Sequence, residues 1–161
     1  MNFYMKQKVF SFGDRFTIYD EVGRDAYYVE GEVFTFGKKL HLYDTEGREL
    51  ASVSEKIFSF LPRYYVSIGG KHFAEIIKEF TFLRHSYSIA LENGESWHAS
   101  GDFWDHRYRV EAPSMLIADV SKDWFSWGDA YRISVSSEID PVIALATVLV
   151  IDACIEAQNR S

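Results

Sequence analysis

A chain of 161 residues with 24 Asp and Glu against 17 Lys and Arg carries a formal charge of −7, the wrong sign for gripping phosphate backbones, so a nucleic-acid partner is not expected. Its single Cys154 leaves no internal disulfide, and the first eight residues hold no apolar run of the signal-peptide kind, which points to a reducing, cytoplasmic setting. The 13 Phe, 10 Tyr and 4 Trp fall mainly in β-branched and aromatic segments, and the length suits one mostly β domain spanning 1–161 that needs neither disulfide nor metal to hold its core.

From the N-terminus onward, an aromatic step into a tight turn recurs. Val9-Phe10-Ser11-Phe12-Gly13-Asp14-Arg15 is followed by Val33-Phe34-Thr35-Phe36-Gly37-Lys38-Lys39 and Ile57-Phe58-Ser59-Phe60-Leu61-Pro62-Arg63, then by looser copies at 79–84, 102–107 and 124–129. The anchoring Phe10, Phe34, Phe58, Phe80, Phe103 and Phe125 stand 24, 24, 22, 23 and 22 residues apart. A unit of that length holds two strands and two turns, so six units predict an antiparallel meander of about twelve strands over residues 1–137.

Between steps the chain alternates, as in Phe16-Thr17-Ile18-Tyr19 and Leu40-His41-Leu42-Tyr43, and then meets a polar turn. Asp20-Glu21-Val22-Gly23-Arg24-Asp25 and Asp44-Thr45-Glu46-Gly47-Arg48-Glu49 are near duplicates, while Gly69-Gly70 and Asn93-Gly94 offer the positive φ of hairpins. The apolar parity of Ala51 and Val53 differs from that of Phe58 and Phe60, which predicts a β-bulge near Glu55-Lys56.

The tail is different in kind. Asp140-Pro141 reads as an N-cap with proline in the first helical position, and the helix expected over 138–157 is apolar on every side from Val142 to Ile151. Interrupted by Asp152, that run falls short of the ~20 residues of a bilayer span, so burial within the domain is expected. A twelve-stranded barrel is too wide for its own side chains to fill, and a helix about 25 Å long suits the height of its walls. The two parts predict one closed barrel with the helix as its filling.

The duplicated aromatic steps, the paired turns at Tyr19-Asp20 and Tyr43-Asp44, Gly101-Asp102-Phe103-Trp104-Asp105, Trp124-Phe125-Ser126-Trp127-Gly128-Asp129 and the tail with Ile151-Asp152-Ala153 together resemble the bacterial branch of the LURP-one-related family. The resemblance covers essentially the whole chain. It implies the Tubby-like fold, a twelve-stranded barrel around a central hydrophobic helix, shared with Tubby C-terminal domains and phospholipid scramblases. It implies no catalytic set, and its link to phospholipids comes through superfamily relatives, with no phosphoinositide motif to place on numbered residues here.

Alternate turns of such a meander lie at opposite ends. The turns after the aromatic steps carry Arg15, Lys38, Lys39, Arg63, Arg84 and Arg107 against Asp14, Asp105 and Asp129, a charge of about +3; the other turns sum to about −8. The positive rim, with Trp104 and Trp127 as membrane-facing aromatics, is a candidate site for anionic phospholipid headgroups. The competing reading is that hairpin turns are simply where charges are solvated.

Other chemistries are weaker. His41, His72, His85, His98 and His106 match no metal-ligand spacing, and on one extended strand His98 and His106 would stand roughly 26 Å apart. There is no nucleophile elbow and no phosphate-binding glycine loop, and Cys154 sits in the apolar tail. No enzyme activity, cofactor or metal is expected. Asp152 is expected to be a buried helix carboxylate near the barrel mouth, held by a turn amide, a Tyr hydroxyl or an Arg. The expectation is therefore a binding or scaffold protein whose partner is an anionic phospholipid or another protein; storage of a small apolar ligand is disfavoured because the helix occupies the lumen.

Overall fold

The computed structural model describes residues 1–6, 15–34, 37–56, 58, 60, 61, 63–80, 85–123 and 130–159. Twelve strands follow one another: β1 Asn2–Lys6, β2 Arg15–Tyr19, β3 Asp25–Phe34, β4 Gly37–Tyr43, β5 Glu49–Glu55, β6 Arg63–Ile68, β7 Lys71–Phe80, β8 His85–Leu91, β9 Ser96–Asp102, β10 Arg107–Ala112, β11 Met115–Asp123 and β12 Ala130–Val135. Each pairs antiparallel with its neighbours in sequence, and β12 closes on β1 from Asn2↔Ser134 to Lys6↔Ala130. Closure leaves no long edge for another chain to extend.

Alternation sorts the side chains. Leu40, Leu42, Ala51, Val53, Val66 and Ile76 point into the lumen, while Ser52, Ser54, Ser67, His98, Ser100, Arg109 and Glu111 face outward. Such a polar outer wall is the reverse of the apolar band on a barrel that spans a membrane. Among the described residues, no helix is long and apolar enough to cross one.

The helix α1, Pro141–Asn159, begins where Asp140 Oδ1 accepts from Val142 N at 2.9 Å. Every residue from 144 to 155 is buried, and the helix backbone approaches β5, β6 and β12 most closely. Its 19 residues make a rod about 28 Å long. Thr147, a polar residue in this apolar stretch, returns its hydroxyl to Ile143 O at 2.9 Å, so its burial leaves no unsatisfied donor. Strand walls and helix form one core, as the filled-lumen expectation requires.

Two of the turns repeat one device. Asp20 Oδ1 accepts from Val22 N and Arg24 N, both at 2.9 Å, while Arg24 Nε donates to Asp20 Oδ2 at 2.9 Å. Asp44 does the same with Glu46 N and Arg48 N, and Arg48 Nε lies 2.7 Å from Asp44 Oδ2. These bonds, led by the Arg24 and Arg48 amides, hold both carboxyls below their ordinary range. Much of the acidic end is thus turn architecture.

The bulge expected near Glu55-Lys56 is not found: β5 and β6 keep unbroken register from Ala51↔Ile68 to Glu55↔Tyr64. Bulges occur at the other end of the strands, where Ala26, Leu50, Phe73 and Ile117 are the extra residues between Ile18/Tyr19, Leu42/Tyr43, Val66/Ser67 and Val110/Glu111 pairings. The parity conflict at Phe58 and Phe60 is resolved differently, because neither ring faces the core. The chain also turns between His98 and His106: His98 sits opposite Glu111, and His106 closes a turn before β10, so the single-strand separation does not apply.

Candidate functional site

The topology puts the β3–β4, β5–β6 and β9–β10 connections at one end of the barrel, with the Asp20, Asp44 and Asn93 turns at the other. The aromatic end has an inner and an outer layer.

The inner layer is a collar of tyrosines. Tyr64, Tyr87, Tyr108 and Tyr131 lie near the start of β6, β8, β10 and β12 and are all buried. Tyr108 and Tyr64 reach α1 at Asp152, which is 3 % exposed, and at Cys154. Tyr108 Oη donates to Asp152 Oδ1 at 3.1 Å. Burial first, and then the adjacent Asp152 carboxylate, push the Tyr108 hydroxyl well above its ordinary range, so it remains a donor at neutral pH. His106 Nδ1 stands 3.8 Å from the same oxygen, at ion-pair rather than hydrogen-bond distance, and its ring stacks on Tyr131 at 4.4 Å. Burial likewise raises Tyr64, with Cys154 beside it.

This arrangement ties a rim turn to the central helix. Asp152→Asn keeps the shape and an acceptor for Tyr108 but removes the charge facing His106. We expect a loss of about 1–3 kcal/mol in unfolding free energy at neutral pH, read by urea titration; unchanged stability would show that the carboxylate has no structural role.

The outer layer is apolar and cationic. Phe103 turns inward between Tyr87 and Tyr108, with ring centroids at 4.9 and 5.0 Å, and its neighbour Trp104 projects outward at 59 % exposure. Asp102 Oδ1 braces that turn by accepting from the amides of Trp104 and Asp105, each at 3.1 Å. On the β5–β6 connection Phe58 and Phe60 are fully exposed, at 98 % and 103 %.

The rim cations divide into groups. Arg15 lies on the outer wall, its guanidinium carbon 5.0 Å from the Tyr28 ring centroid and 6.0 Å from that of Tyr43. Arg63 Nη1 forms an ion pair with Glu75 Oε1 on the wall at 2.9 Å. Arg107 stays exposed beside Asp105, Nε to Oδ2 3.2 Å, and Lys39 is exposed opposite Glu32. Lys38 is half-buried, its amide 3.3 Å from Glu55 Oε2. Arg84 and Trp127 fall outside the described residues.

The sequence reading missed Lys56, exposed with its ammonium 5.7 Å from the Tyr65 ring centroid, and missed Phe58 and Phe60 as surface residues. It also missed the collar, although a tyrosine five to seven residues after Phe58, Phe80, Phe103 and Phe125 was a readable signal. Among the described residues, no cluster of three His, Cys, Asp or Glu could hold a metal ion. A cavity of about 190 Å³ opens between β1 and the 20–23 turn, bordered by Tyr4, Tyr19 and Val22.

A closed twelve-stranded antiparallel barrel with a buried C-terminal helix is the Tubby-like fold. The profile of the LURP-one-related family matches residues 1–152, and the chain belongs to that family. It is 38 % identical over 149 residues to the uncharacterized protein YxjI of Bacillus subtilis (strain 168), covering 92 % of this chain and 90 % of that one. The X-ray structure of the Arabidopsis thaliana protein AT5G01750 superposes with a TM-score of 0.69 at 17 % identity, over 96 % of this chain and 90 % of that one, a likeness of fold.

Proposed function

We propose that this protein is a non-catalytic binding module that docks its aromatic end on anionic phospholipid surfaces. The observation carrying this reading is the segregation of exposed aromatics: Phe58, Phe60 and Trp104 all project from one end, with Lys39, Lys56 and Arg107 exposed around them. Aromatic rings favour the headgroup level of a bilayer, and each nearby basic residue adds about 1 kcal/mol on an anionic leaflet. Arg15 and Arg63 are held along the wall and have a smaller share in this reading than Lys38, Lys39 and Arg107. Storage of an apolar ligand has less support, since buried helix side chains occupy the lumen.

Co-sedimentation at low salt with phosphatidylserine-containing vesicles is expected to pellet the protein, and pure phosphatidylcholine to pellet much less of it. Charge reversal of Lys39, Lys56 and Arg107 should abolish the difference. Equal behaviour of the wild-type protein on the two vesicle types would overturn the anionic-lipid reading.

A further inference from the structure

We infer that Phe58 and Phe60 form an inserting tip that enters the acyl-chain boundary of the bilayer, supplying an apolar anchor separate from the cationic attraction; this rests on the membrane reading above. Phe58 has φ 61°, a left-handed backbone that bulky side chains adopt only under strain. Elsewhere the same barrel meets positive φ in its hairpin turns with glycine, at Gly23, Gly47 and Gly94, or, at His106 (φ 50°), with a ring that is packed on Tyr131. At residue 58 it instead carries a phenylalanine whose ring is 98 % exposed, followed two residues later by another at 103 %. A strained backbone persists where the surroundings or a function require it, and no core contact repays this one, since both rings point away from the barrel.

Three features select a bilayer as the occupant. The two rings stand proud of the barrel end rather than lining a groove, as a wedge would. Trp104 projects from a different connection at the same end, so the apolar contacts are distributed across a face, which suits a planar partner. Lys56 is exposed two residues before Phe58, its ammonium 5.7 Å from the Tyr65 ring, so a cation follows directly behind the tip. Burying a phenyl group changes a binding constant by about ten- to hundredfold, so the pair should dominate the apolar part of the affinity.

The experiment uses the full chain, phosphatidylserine/phosphatidylcholine vesicles with and without brominated acyl chains, and the variants Phe58→Gly, Phe58→Ser/Phe60→Ser and Lys56→Glu. Bromines near the glycerol backbone should quench wild-type tryptophan fluorescence, and Trp104→Phe should lessen the quenching. The double Ser variant should bind at least tenfold more weakly with an unchanged salt slope, whereas Lys56→Glu should lower the slope itself. Phe58→Gly separates insertion from folding: glycine relieves the left-handed strain, so the melting temperature should hold or rise while vesicle affinity falls. Unchanged affinity of the Ser and Gly variants, alongside wild-type binding to anionic vesicles, would overturn insertion and leave docking standing. Failure of the wild type on every vesicle would overturn both. Concentration-dependent self-association that the double Ser variant loses, without vesicle binding, would assign the tip to a protein surface and refute insertion.

Discussion

Leu145→Ala should lower the unfolding free energy by about 3–5 kcal/mol, in the upper part of the ~2–5 kcal/mol range for such truncations. Leu145 is fully buried, with no exposed surface, in the second turn of a helix whose surroundings are the inward faces of a closed wall. A cavity left there cannot be relieved by sliding one element over another, because every strand is bonded on both sides. Urea titration should show a lower midpoint with the slope retained. Truncating Leu149 as well, one turn further along the same face, should extend the void. An apolar probe the size of benzene should then stabilise the double variant and not the wild type, by mass action on the folded state. A lumen already occupied by leucine, isoleucine and valine leaves the native barrel little room for such a probe. A loss below about 1 kcal/mol for Leu145→Ala would mean that the helix does not fill the lumen, and the fold-based reading would lose its foundation.

The central helix was legible because its signals are local: Asp140-Pro141 marks the start, and a helix without a polar face has to be enclosed. The strand count was legible for a similar reason, since the aromatic step and the duplicated Asp20 and Asp44 turns punctuate the chain at nearly constant intervals. What did not transfer is the core-facing parity implied for Phe58 and Phe60. Burial is a one-way rule, and the same phrase that sends Phe103 between two tyrosines leaves Phe58 and Phe60 in solvent. The bulges were misplaced because a parity count along one strand carries no information on its partner's register; they sit just beyond the turns, at Ala26, Leu50, Phe73 and Ile117. Sorting charge by turn also treats a long side chain as if it ended at its Cα. Arg15 and Arg63 start at the rim and spend their guanidinium groups on Tyr28 and Glu75 along the wall.

Gly101→Ala is the substitution expected to couple the fold most directly to the candidate site. Gly101 pairs with Tyr108 across β9 and β10 and has φ +143°, where an L side chain is strained. A Cβ there would overlap Arg107 O and lie 2.7 Å from Tyr108 Cα, both backbone atoms that cannot swing aside. A cost of about 1–2 kcal/mol for the backbone conformation, with about 1–3 kcal/mol for forced displacement, gives an expected loss of about 2–5 kcal/mol. The displacement has a direction. Pushing Tyr108 away moves its hydroxyl from Asp152, so part of the loss should vanish in a Tyr108→Phe background; a coupling of about 1 kcal/mol in the double-mutant cycle would show it. The same strand pair launches the turn bearing Trp104, so vesicle affinity, measured well below the variant's melting temperature, should fall as well. Additive effects on stability would mean that Gly101 merely accommodates the backbone, with no mechanical path from the rim through Tyr108 to the helix. A shared effect would instead make the glycine the hinge point through which the exposed turn and the buried carboxylate are held in one geometry.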